Sequence, residues 1–355
     1  MQHDDRADAL ERAALDVADE VMASYARSRP ELMATFDSEA LAATRRDIHH
    51  HIDHLVVALR MGEPALFDDY LGWAEDLFIG LGLPMEWLVG SLVEVGAASV
   101  RVIGPEVAGP IVTMIDDGLS ALPDRPSAPA SSVAAGSPLA AIAVHYIALV
   151  LDGRAQEAVH LMVSELESGR EGRVLLTQVL APAQAEVGRL WQTGRITVAQ
   201  EHVATSIAQL VMREVVLRSK HEDGTGRRAI VAAVGDELHD MGGRMLSGFF
   251  ELAGWDAVFV GANTPVRSVV DHARRVDADV IALSCTYATG VPSVVDAIEA
   301  LRAQSDNRAN TPVIVGGRAF SLAPSLWERV GADGWAPDAA GGVRLAASLA
   351  AARPA

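Results

Sequence analysis

The fold of the carboxyl-terminal half is decided by the stretch Arg228-Ala-Ile-Val-Ala-Ala-Val-Gly-Asp-Glu-Leu-His-Asp-Met-Gly-Gly-Arg244. Residues 228–234 form an apolar run with the length of a buried strand. From Arg244 to Gly254, apolar residues recur at helical spacing. The pattern therefore predicts that His239 lies on a strand-to-helix loop at the carboxyl end of a parallel sheet, where open α/β sheets bind ligands.

Two features of this loop suit a metal site. Glu237 precedes His239 by two residues, so its carboxylate can fix the tautomer of the imidazole and leave the other ring nitrogen open to a metal. The neighbouring glycines allow a bulky ligand to approach the backbone. On these residues alone, a loop histidine without a ligand is the commoner interpretation.

The E-x-H-x-x-G pattern of this loop resembles the signature of cobalamin-binding domains, and two further elements of that family follow it in order. They are Ser284-Cys285-Thr286 and the pair Gly316-Gly317, each at the end of an apolar run. The resemblance implies that the histidine replaces the cofactor's own base as the lower ligand of cobalt, and that the small residues line the groove for the displaced nucleotide tail. The implied site contains Glu237, His239, Asp240, Gly242, Ser284, Thr286, Gly316 and Gly317.

Composition limits the possible classes of protein. The 355 residues are enough for two to three domains, and half of them are hydrophobic. A formal net charge of −18 argues against direct nucleic-acid binding as the function, because phosphate binding needs clustered cations. Cys285 is the single cysteine, so no intramolecular disulfide can form. We expect a cytoplasmic protein without a membrane segment or a secretory leader.

Changes in composition divide the chain into four regions. Residues 1–121 predict an all-helical domain, and residues 122–138, rich in Pro, Ser and Ala, predict a linker. Residues 139–219 predict a four-helix bundle with breaks at glycines. Residues 227–355 alternate strand and helix, which predicts a parallel five-stranded, Rossmann-like domain. The expected strands lie near residues 228–234, 256–261, 279–285, 312–316 and 333–336.

The predicted bundle contains a second motif. Trp191 is separated by nine residues from Glu201-His202, and Gly194 and Thr197 predict a helix end and a helix start between them. A core tryptophan beside a solvated Glu-His pair is the alternative interpretation. The spacing resembles the W-x9-E-H motif of adenosylcobalamin-dependent photoreceptors. The resemblance implies that this bundle caps the cofactor and that the three residues surround its adenosyl group. In the DNA-binding members a histidine follows the tryptophan, whereas here the residue is Gln192.

The amino-terminal domain resembles, in architecture, the globin-like domain of the photocobilins, which holds a bilin. Arg45 and Arg46 could pair with propionates. Arg46, His50 and His54 recur at i, i+4 spacing on one predicted helix, so we expect them to share a face. The first 121 residues contain no cysteine, so the predicted bilin, such as biliverdin, is held without a covalent bond. A ligand-free dimerisation bundle and a haem domain are the alternatives.

Two functions follow from these resemblances. The first is a light sensor, not an enzyme, in which photolysis of adenosylcobalamin changes conformation or oligomeric state. The second is a corrinoid methyl carrier of a methyltransferase system, which shares the cobalt-site residues. A mutase would need a catalytic barrel that this chain lacks. We expect small-molecule chromophores as ligands, a homo-oligomer, and a downstream protein partner that the sequence does not identify.

Overall fold

The computed structural model describes residues 5–125, 131–133, 138–235, 237–303 and 310–352. The chain forms two compact units, residues 1–127 and residues 128–355. The division falls within the predicted linker 122–138, of which residues 126–130 and 134–137 lie outside the described residues. The predicted helical cap and the predicted sheet domain belong to the same compact unit.

The described residues of the first unit are helical, as predicted. They form α1 (Asp5–Arg12), α2 (Ala14–Ser28), α3 (Pro30–Met33), α4 (Ser38–Met61), α5 (Ala65–Gly80), α6 (Met85–Ile103) and α7 (Pro105–Ala121). The long helix α4 begins where the Asp37 side chain accepts a hydrogen bond from the Ala40 backbone N–H. It ends at Gly62, whose φ of 60° is the left-handed conformation that glycine adopts without strain. A globin-like arrangement of these helices stays a prediction.

The second unit begins with the predicted helical bundle. Its helices are α8 (Ala140–Leu151), α9 (Ala155–Glu167), α10 (Gly172–Leu175), α11 (Ala181–Gln192) and α12 (Val198–Arg218), and a π-helical turn, Leu176–Leu180, joins α10 to α11. Gly194, at a φ of 68°, terminates the segment before α12. Thr197 then caps α12 in a reciprocal capping box with Gln200. These local signals fix the turn between the two halves of the W-x9-E-H motif.

The rest of the second unit is a five-stranded, wholly parallel sheet. Its strands are β1 (Arg228–Ala233), β2 (Asp256–Phe259), β3 (Val280–Ser284), β4 (Val313–Gly316) and β5 (Gly334–Trp335), in the spatial order β2-β1-β3-β4-β5. The helices are α13 (Met241–Leu252), α14 (Val266–Arg275), α15 (Val291–Arg302), α16 (Arg318–Leu322), α17 (Leu326–Arg329) and α18 (Ala339–Ala351). The predicted parallel, Rossmann-like sheet is confirmed, although several observed strands are shorter than predicted.

The bundle packs onto the sheet domain through helix α13. Phe249 and Leu252 of α13 belong to the same buried apolar cluster as the bundle helices. The opposite side of α13 contributes Phe250 to the core over the sheet. Helix α13 therefore ties the bundle to the loop that precedes it, which carries His239. Within the described parts of the chain, no helix is both long and apolar enough to cross a membrane.

Candidate cofactor site

The position of His239 follows from the sheet topology. It lies on the loop between β1 and α13, at the carboxyl end of β1. The chain passes from β1 to β2 on one side and then returns to β3 on the other side of β1. This reversal leaves a crevice above the strand ends, which is the usual ligand site of open parallel sheets. About half of the His239 side chain, 51%, is exposed.

The buried carboxylate of Glu237 holds His239 in one orientation. Its Oε1 atom lies 2.6 Å from His239 Nδ1 and accepts a second hydrogen bond, of 2.8 Å, from the His239 backbone N–H. Its Oε2 atom accepts a 2.6 Å hydrogen bond from the Thr286 backbone N–H, which follows β3. The Glu237 side chain is only 3% exposed. Residues from two strand ends therefore fix the same carboxylate.

The electrostatics of this pair favour a charged glutamate. Burial acts to raise the pKa of Glu237, but the hydrogen bonds from His239 and from Thr286 outweigh it, so the pKa lies below its ordinary value. The hydrogen bond to Glu237 in turn raises the pKa of His239, against the opposing effect of burial. An ionised Glu237 accepts a hydrogen bond from Nδ1–H, which keeps the proton on Nδ1 and leaves Nε2 as the ring nitrogen for a metal.

Aromatic packing also restricts the His239 ring. The ring of Tyr287 meets it edge to face, with centroids 4.8 Å apart and an interplanar angle of 84°. Tyr287 is not among the predicted site residues, because the 48 positions that separate it from His239 in the sequence conceal the contact. The sheet brings the two together, since β1 and β3 are neighbours.

The predicted tail-groove residues meet at the same sheet edge. Ser284 pairs in register with Gly316 of β4. A Cβ atom added to Gly242 would lie 3.5 Å from the Ser284 Oγ atom, so α13 begins close to the end of β3. Gly317 has a φ of 99°, and a Cβ there would lie 2.2 Å from the Cys285 carbonyl oxygen. Gly317 is thus required by close backbone packing, a reason additional to the predicted groove.

The bundle places Glu201 on the side of this site. Glu201 lies in the first turn of α12, and its negative charge contributes to the raised pKa of His239. Its side chain is 25% exposed, whereas that of the adjacent His202 is 74% exposed. Trp191 is half-buried near the end of α11. Among the predicted cap residues, Glu201 is thus linked to the histidine loop by its charge.

Asp240 joins the histidine loop to the bundle. Its carboxylate accepts hydrogen bonds of 2.9 and 3.1 Å from Gln209 Nε2 on α12. It also accepts a 2.7 Å hydrogen bond from Arg244 Nε, one turn later on α13. Asp240 was predicted as a site residue, but neither of its hydrogen-bond partners was. The i, i+4 spacing of Asp240 and Arg244 could have identified the second, whereas Gln209 gave no signal.

The predicted ligand residues of the first unit lie on different faces of α4. Arg46 and His50 are exposed, and Arg45 forms an ion pair with Asp19. His54, predicted to share a face with Arg46 and His50, is instead buried. The three residues keep their i, i+4 spacing on α4, but only Arg46 and His50 are exposed to solvent, because His54 packs into the core.

The buried side of α4 carries an aromatic cluster formed by His51, His54 and Tyr70. The His51 Nδ1 atom lies 2.7 Å from the Tyr70 hydroxyl, and the His54 ring stacks on Tyr70 with centroids 3.9 Å apart. Burial lowers the pKa of each histidine to about 3. The His54 Nδ1 atom is buried and has no hydrogen-bond partner among the described residues. These histidines are neutral at physiological pH.

The residues around His239 fit a cobalt ion that brings its own macrocycle. Within the described residues, no group of three or more His, Cys, Asp or Glu side chains could hold a metal ion. A corrin supplies four equatorial nitrogens, so its cobalt needs only one protein ligand below it. An imidazole with a fixed Nδ1–H and an open Nε2 is suited to that position.

Comparison with known proteins supports the same cofactor. Residues 227–344 match a B12 binding domain model, and residues 144–215 match a second B12 binding domain model. Dimethylamine corrinoid protein 1 of Methanosarcina acetivorans is 26% identical over 199 residues, which cover 55% of this chain and 91% of that protein. Dimethylamine corrinoid protein 3 of Methanosarcina mazei is 32% identical over 114 residues, 32% of this chain and 66% of that protein.

A solved structure shares its fold with more than half of this chain. The monomethylamine corrinoid protein of Methanosarcina barkeri aligns with a TM-score of 0.50 and 20% identity, and the match covers 59% of this chain and 99% of that one. This likeness shows that the bundle and the sheet have the fold of a corrinoid protein, and both B12 binding domain models match residues of the same unit.

Proposed function

We propose that the second unit is a corrinoid carrier, which holds a cobalamin at His239 and carries an alkyl group on the upper face of the cobalt. The observation that carries this proposal is the His239–Glu237 pair on the loop after β1, with its 2.6 Å hydrogen bond. The similar corrinoid proteins are named for dimethylamine and monomethylamine, which favours a methyl group as the cargo. An acceptor protein for that group is part of the proposal.

Each residue of the site has a defined task in this proposal. The Nε2 atom of His239 is the lower ligand, and Glu237 keeps the proton on Nδ1. Ser284 and the glycine pair after β4 accommodate the displaced nucleotide tail. When bound, cobalamin supplies a cobalt atom with an exchangeable upper alkyl group. The bundle, which packs onto α13 beside the histidine loop, would cover the bound cofactor and limit the access of water and of partners to it.

Methyl transfer in the dark tests the carrier function. The full-length chain is loaded with methylcobalamin and mixed with a corrinoid-dependent methyltransferase and its thiol acceptor. We expect methylated thiol to form in the dark, with matching loss of the methyl–cobalt absorbance, and we expect His239→Ala to abolish both. Binding of methylcobalamin without any transfer would contradict the carrier function.

A second candidate function, light sensing through adenosylcobalamin, is favoured by a specific observation. Trp191, near the end of α11, and Glu201, in the first turn of α12, flank one short turn, so the W-x9-E-H motif is assembled at one end of the bundle. The chain loaded with adenosylcobalamin is compared in the dark and after green illumination by analytical ultracentrifugation. A light-dependent change of sedimentation supports sensing, and an unchanged value contradicts it.

The non-covalent bilin predicted for the first unit stays a proposal. The exposed Arg46 and His50 of α4 support it, because a guanidinium can pair with a propionate and an imidazole can approach the pyrrole nitrogens. Full-length protein is incubated with biliverdin and passed through a gel-filtration column. Red absorbance that co-elutes with wild type and decreases when Arg46 and His50 are both replaced by alanine supports the bilin. Absence of co-eluting absorbance contradicts it and favours an assembly domain.

A further inference from the structure

The ring of Tyr287 contacts the imidazole of His239 from a neighbouring strand end. The two rings meet edge to face, with centroids 4.8 Å apart and an interplanar angle of 84°. Tyr287 follows β3 and lies outside both the E-x-H-x-x-G pattern and the Ser284-Cys285-Thr286 element. The proposed carrier function assigns no task to this residue.

The backbone of Tyr287 is fixed by three hydrogen bonds. Its carbonyl oxygen accepts one of 3.0 Å from the Cys285 thiol and another of 3.0 Å from the Gly290 N–H. Its own N–H donates a longer one, of 3.4 Å, to Glu237 Oε2. Cys285 is buried, and a Cβ atom added to Gly290 would lie 2.9 Å from its sulfur, so the thiol fits closely against this loop. The Tyr287 ring is therefore carried by a segment with little freedom to move.

Glu237 and Tyr287 restrain the imidazole in different ways. The 2.6 Å hydrogen bond to Glu237 fixes the direction of Nδ1, but the ring can still rock about the line that joins the two atoms. Rocking would disturb the near-perpendicular contact with Tyr287, an arrangement that aromatic pairs favour. The hydrogen bond and the ring contact together therefore restrain the direction of the Nε2 lone pair, which lies in the plane of the imidazole.

The segment after β3 anchors both restraints. The Thr286 N–H donates a 2.6 Å hydrogen bond to Glu237, and Tyr287 is the next residue. Strand β3 pairs with β1, whose following loop carries His239. The orientation of the imidazole thus depends on a segment that is distant in sequence and adjacent in the sheet.

We propose that Tyr287 is a positioning residue for the cobalt ligand, and that its ring holds the His239 imidazole in the orientation in which Nε2 binds cobalt. The role belongs to the ring and not to the hydroxyl. The inference rests on cobalamin binding at His239, which both candidate functions share, and adds a residue to that site. Loss of the ring weakens the bond between protein and cobalt, whereas the groove for the nucleotide tail is unchanged.

A comparison of two corrinoids tests the proposal. Cobalamin and cobinamide, which lacks the nucleotide tail, are titrated into full-length wild type, Tyr287→Leu and Tyr287→Phe. We expect Tyr287→Leu to weaken the binding of both corrinoids by the same factor, about two- to tenfold, the range of one aromatic contact. Tyr287→Phe is the matched control, because it keeps the ring and removes the hydroxyl, and it should retain wild-type affinity for both.

A double-mutant cycle and a spectrum separate positioning from packing. In a His239→Ala background, Tyr287→Leu should have no further effect on cobalamin affinity, because the ring acts through the histidine. Electron paramagnetic resonance of cob(II)inamide in ¹⁵N-labelled protein reports the ligation directly. The splitting from a protein nitrogen should be present in wild type and in Tyr287→Phe, and in a smaller fraction of the bound cobalt in Tyr287→Leu.

Three results would overturn the proposal. They are weakening of cobalamin alone by Tyr287→Leu, which would assign the ring to the tail groove, equal losses in Tyr287→Leu and Tyr287→Phe, and an undiminished loss in the His239→Ala background. Wild type that binds neither corrinoid would overturn the cobalt site itself, a failure distinct from these three. Circular dichroism checks folding, and Tyr287→Met, which also lacks a ring, replaces Tyr287→Leu if that variant does not fold.

Discussion

The two units contain histidines in opposite environments. His239 is half-exposed, lies against a buried carboxylate and has a raised pKa. His51 and His54 are buried, and their pKa is lowered to about 3 by loss of solvent. The difference shows how the position of a histidine determines whether its imidazole can bind a metal. A carboxylate on one ring nitrogen and solvent at the other prepare an imidazole for a metal, whereas burial without a charge partner keeps it neutral and part of the core.

Removal of the His239 side chain should cause the largest loss of cobalamin affinity. His239→Ala eliminates the lower ligand, so we expect the affinity for cobalamin to fall by at least about 100-fold, since loss of a supporting residue alone costs up to that factor. Equilibrium titration of full-length protein measures the change. His54→Ala serves as the comparison and should leave cobalamin affinity unchanged. Comparable losses in the two variants would remove the distinction between the two environments.

The environment of His239 could largely be predicted from the sequence, whereas the environments of His51 and His54 could not. The apolar run before Gly235 and the helical pattern after Arg244 placed His239 on a strand-to-helix loop, as observed. Glu237 was selected from its spacing, because its bond to His239 is local. The second bond of the carboxylate, to the backbone of Thr286, depends on the pairing of β1 with β3 and could be found only in the folded chain.

The histidines of the first unit show the limit of sequence spacing. Four of them lie within six residues of α4, so imidazoles point to both exposed and buried sides of that helix. Which of them is buried depends on where α5 brings Tyr70, 19 residues after His51. Spacing from Arg46 selected an exposed face, and the structure buries His51 and His54 instead. Similarly, the Gln209–Asp240 bond joins residues 31 positions apart.

Loss of the Glu237 charge should have the next largest effect. Glu237→Gln retains the shape of the side chain but cannot hold His239 as firmly, and we expect cobalamin affinity to fall by about 10–100-fold. Glu237 also raises the pKa of His239. Protons therefore compete with cobalt for the imidazole up to a higher pH in wild type than in the variant. The acid loss of binding should therefore move to lower pH in the variant. Affinity titrations between pH 5 and 8, about the range of histidine titration, check this shift.

Tyr70→Phe should give an effect in the first unit and none at the cobalt site. The substitution leaves the His51 Nδ1 atom buried without its hydroxyl partner, at a cost of about 1–3 kcal/mol in the free energy of local unfolding. Hydrogen exchange of α4 and α5 in the full-length protein measures this change. Phe67, which also packs near Tyr70, offers the Phe67→Leu control, which removes packing but no hydrogen bond. Altered cobalamin affinity in Tyr70→Phe would contradict the independence of the two environments.

Acid should destabilise the first unit in a histidine-dependent way. The pKa of His54 is about 3 in the folded chain against an ordinary value of 6.5. Between these values the unfolded chain binds more protons, so the free energy of unfolding falls as the pH drops below 6.5. Each such histidine contributes up to about 1.4 kcal/mol per pH unit.

His54→Phe tests the acid effect, because phenylalanine preserves the stacking on Tyr70 and cannot be protonated. We expect a shallower loss of α4 protection between pH 6.5 and 5, a window of about 1.5 units around ordinary histidine titration. His145→Phe, at an exposed position in the second unit, should retain the wild-type slope. Identical slopes in wild type and His54→Phe would show that burial does not control this histidine.

The proposed cobalt site requires that the protein, through His239, supplies the lower nitrogen ligand of cobalt. Electron paramagnetic resonance of full-length protein loaded with cob(II)alamin tests it directly, because a nitrogen below the cobalt splits each line according to its isotope. In protein uniformly labelled with ¹⁵N and loaded with unlabelled cofactor, we predict that each line is a doublet, and that the doublet is absent in His239→Ala. A triplet in the labelled wild-type protein would show that the cofactor's own base remains bound, and would contradict the account.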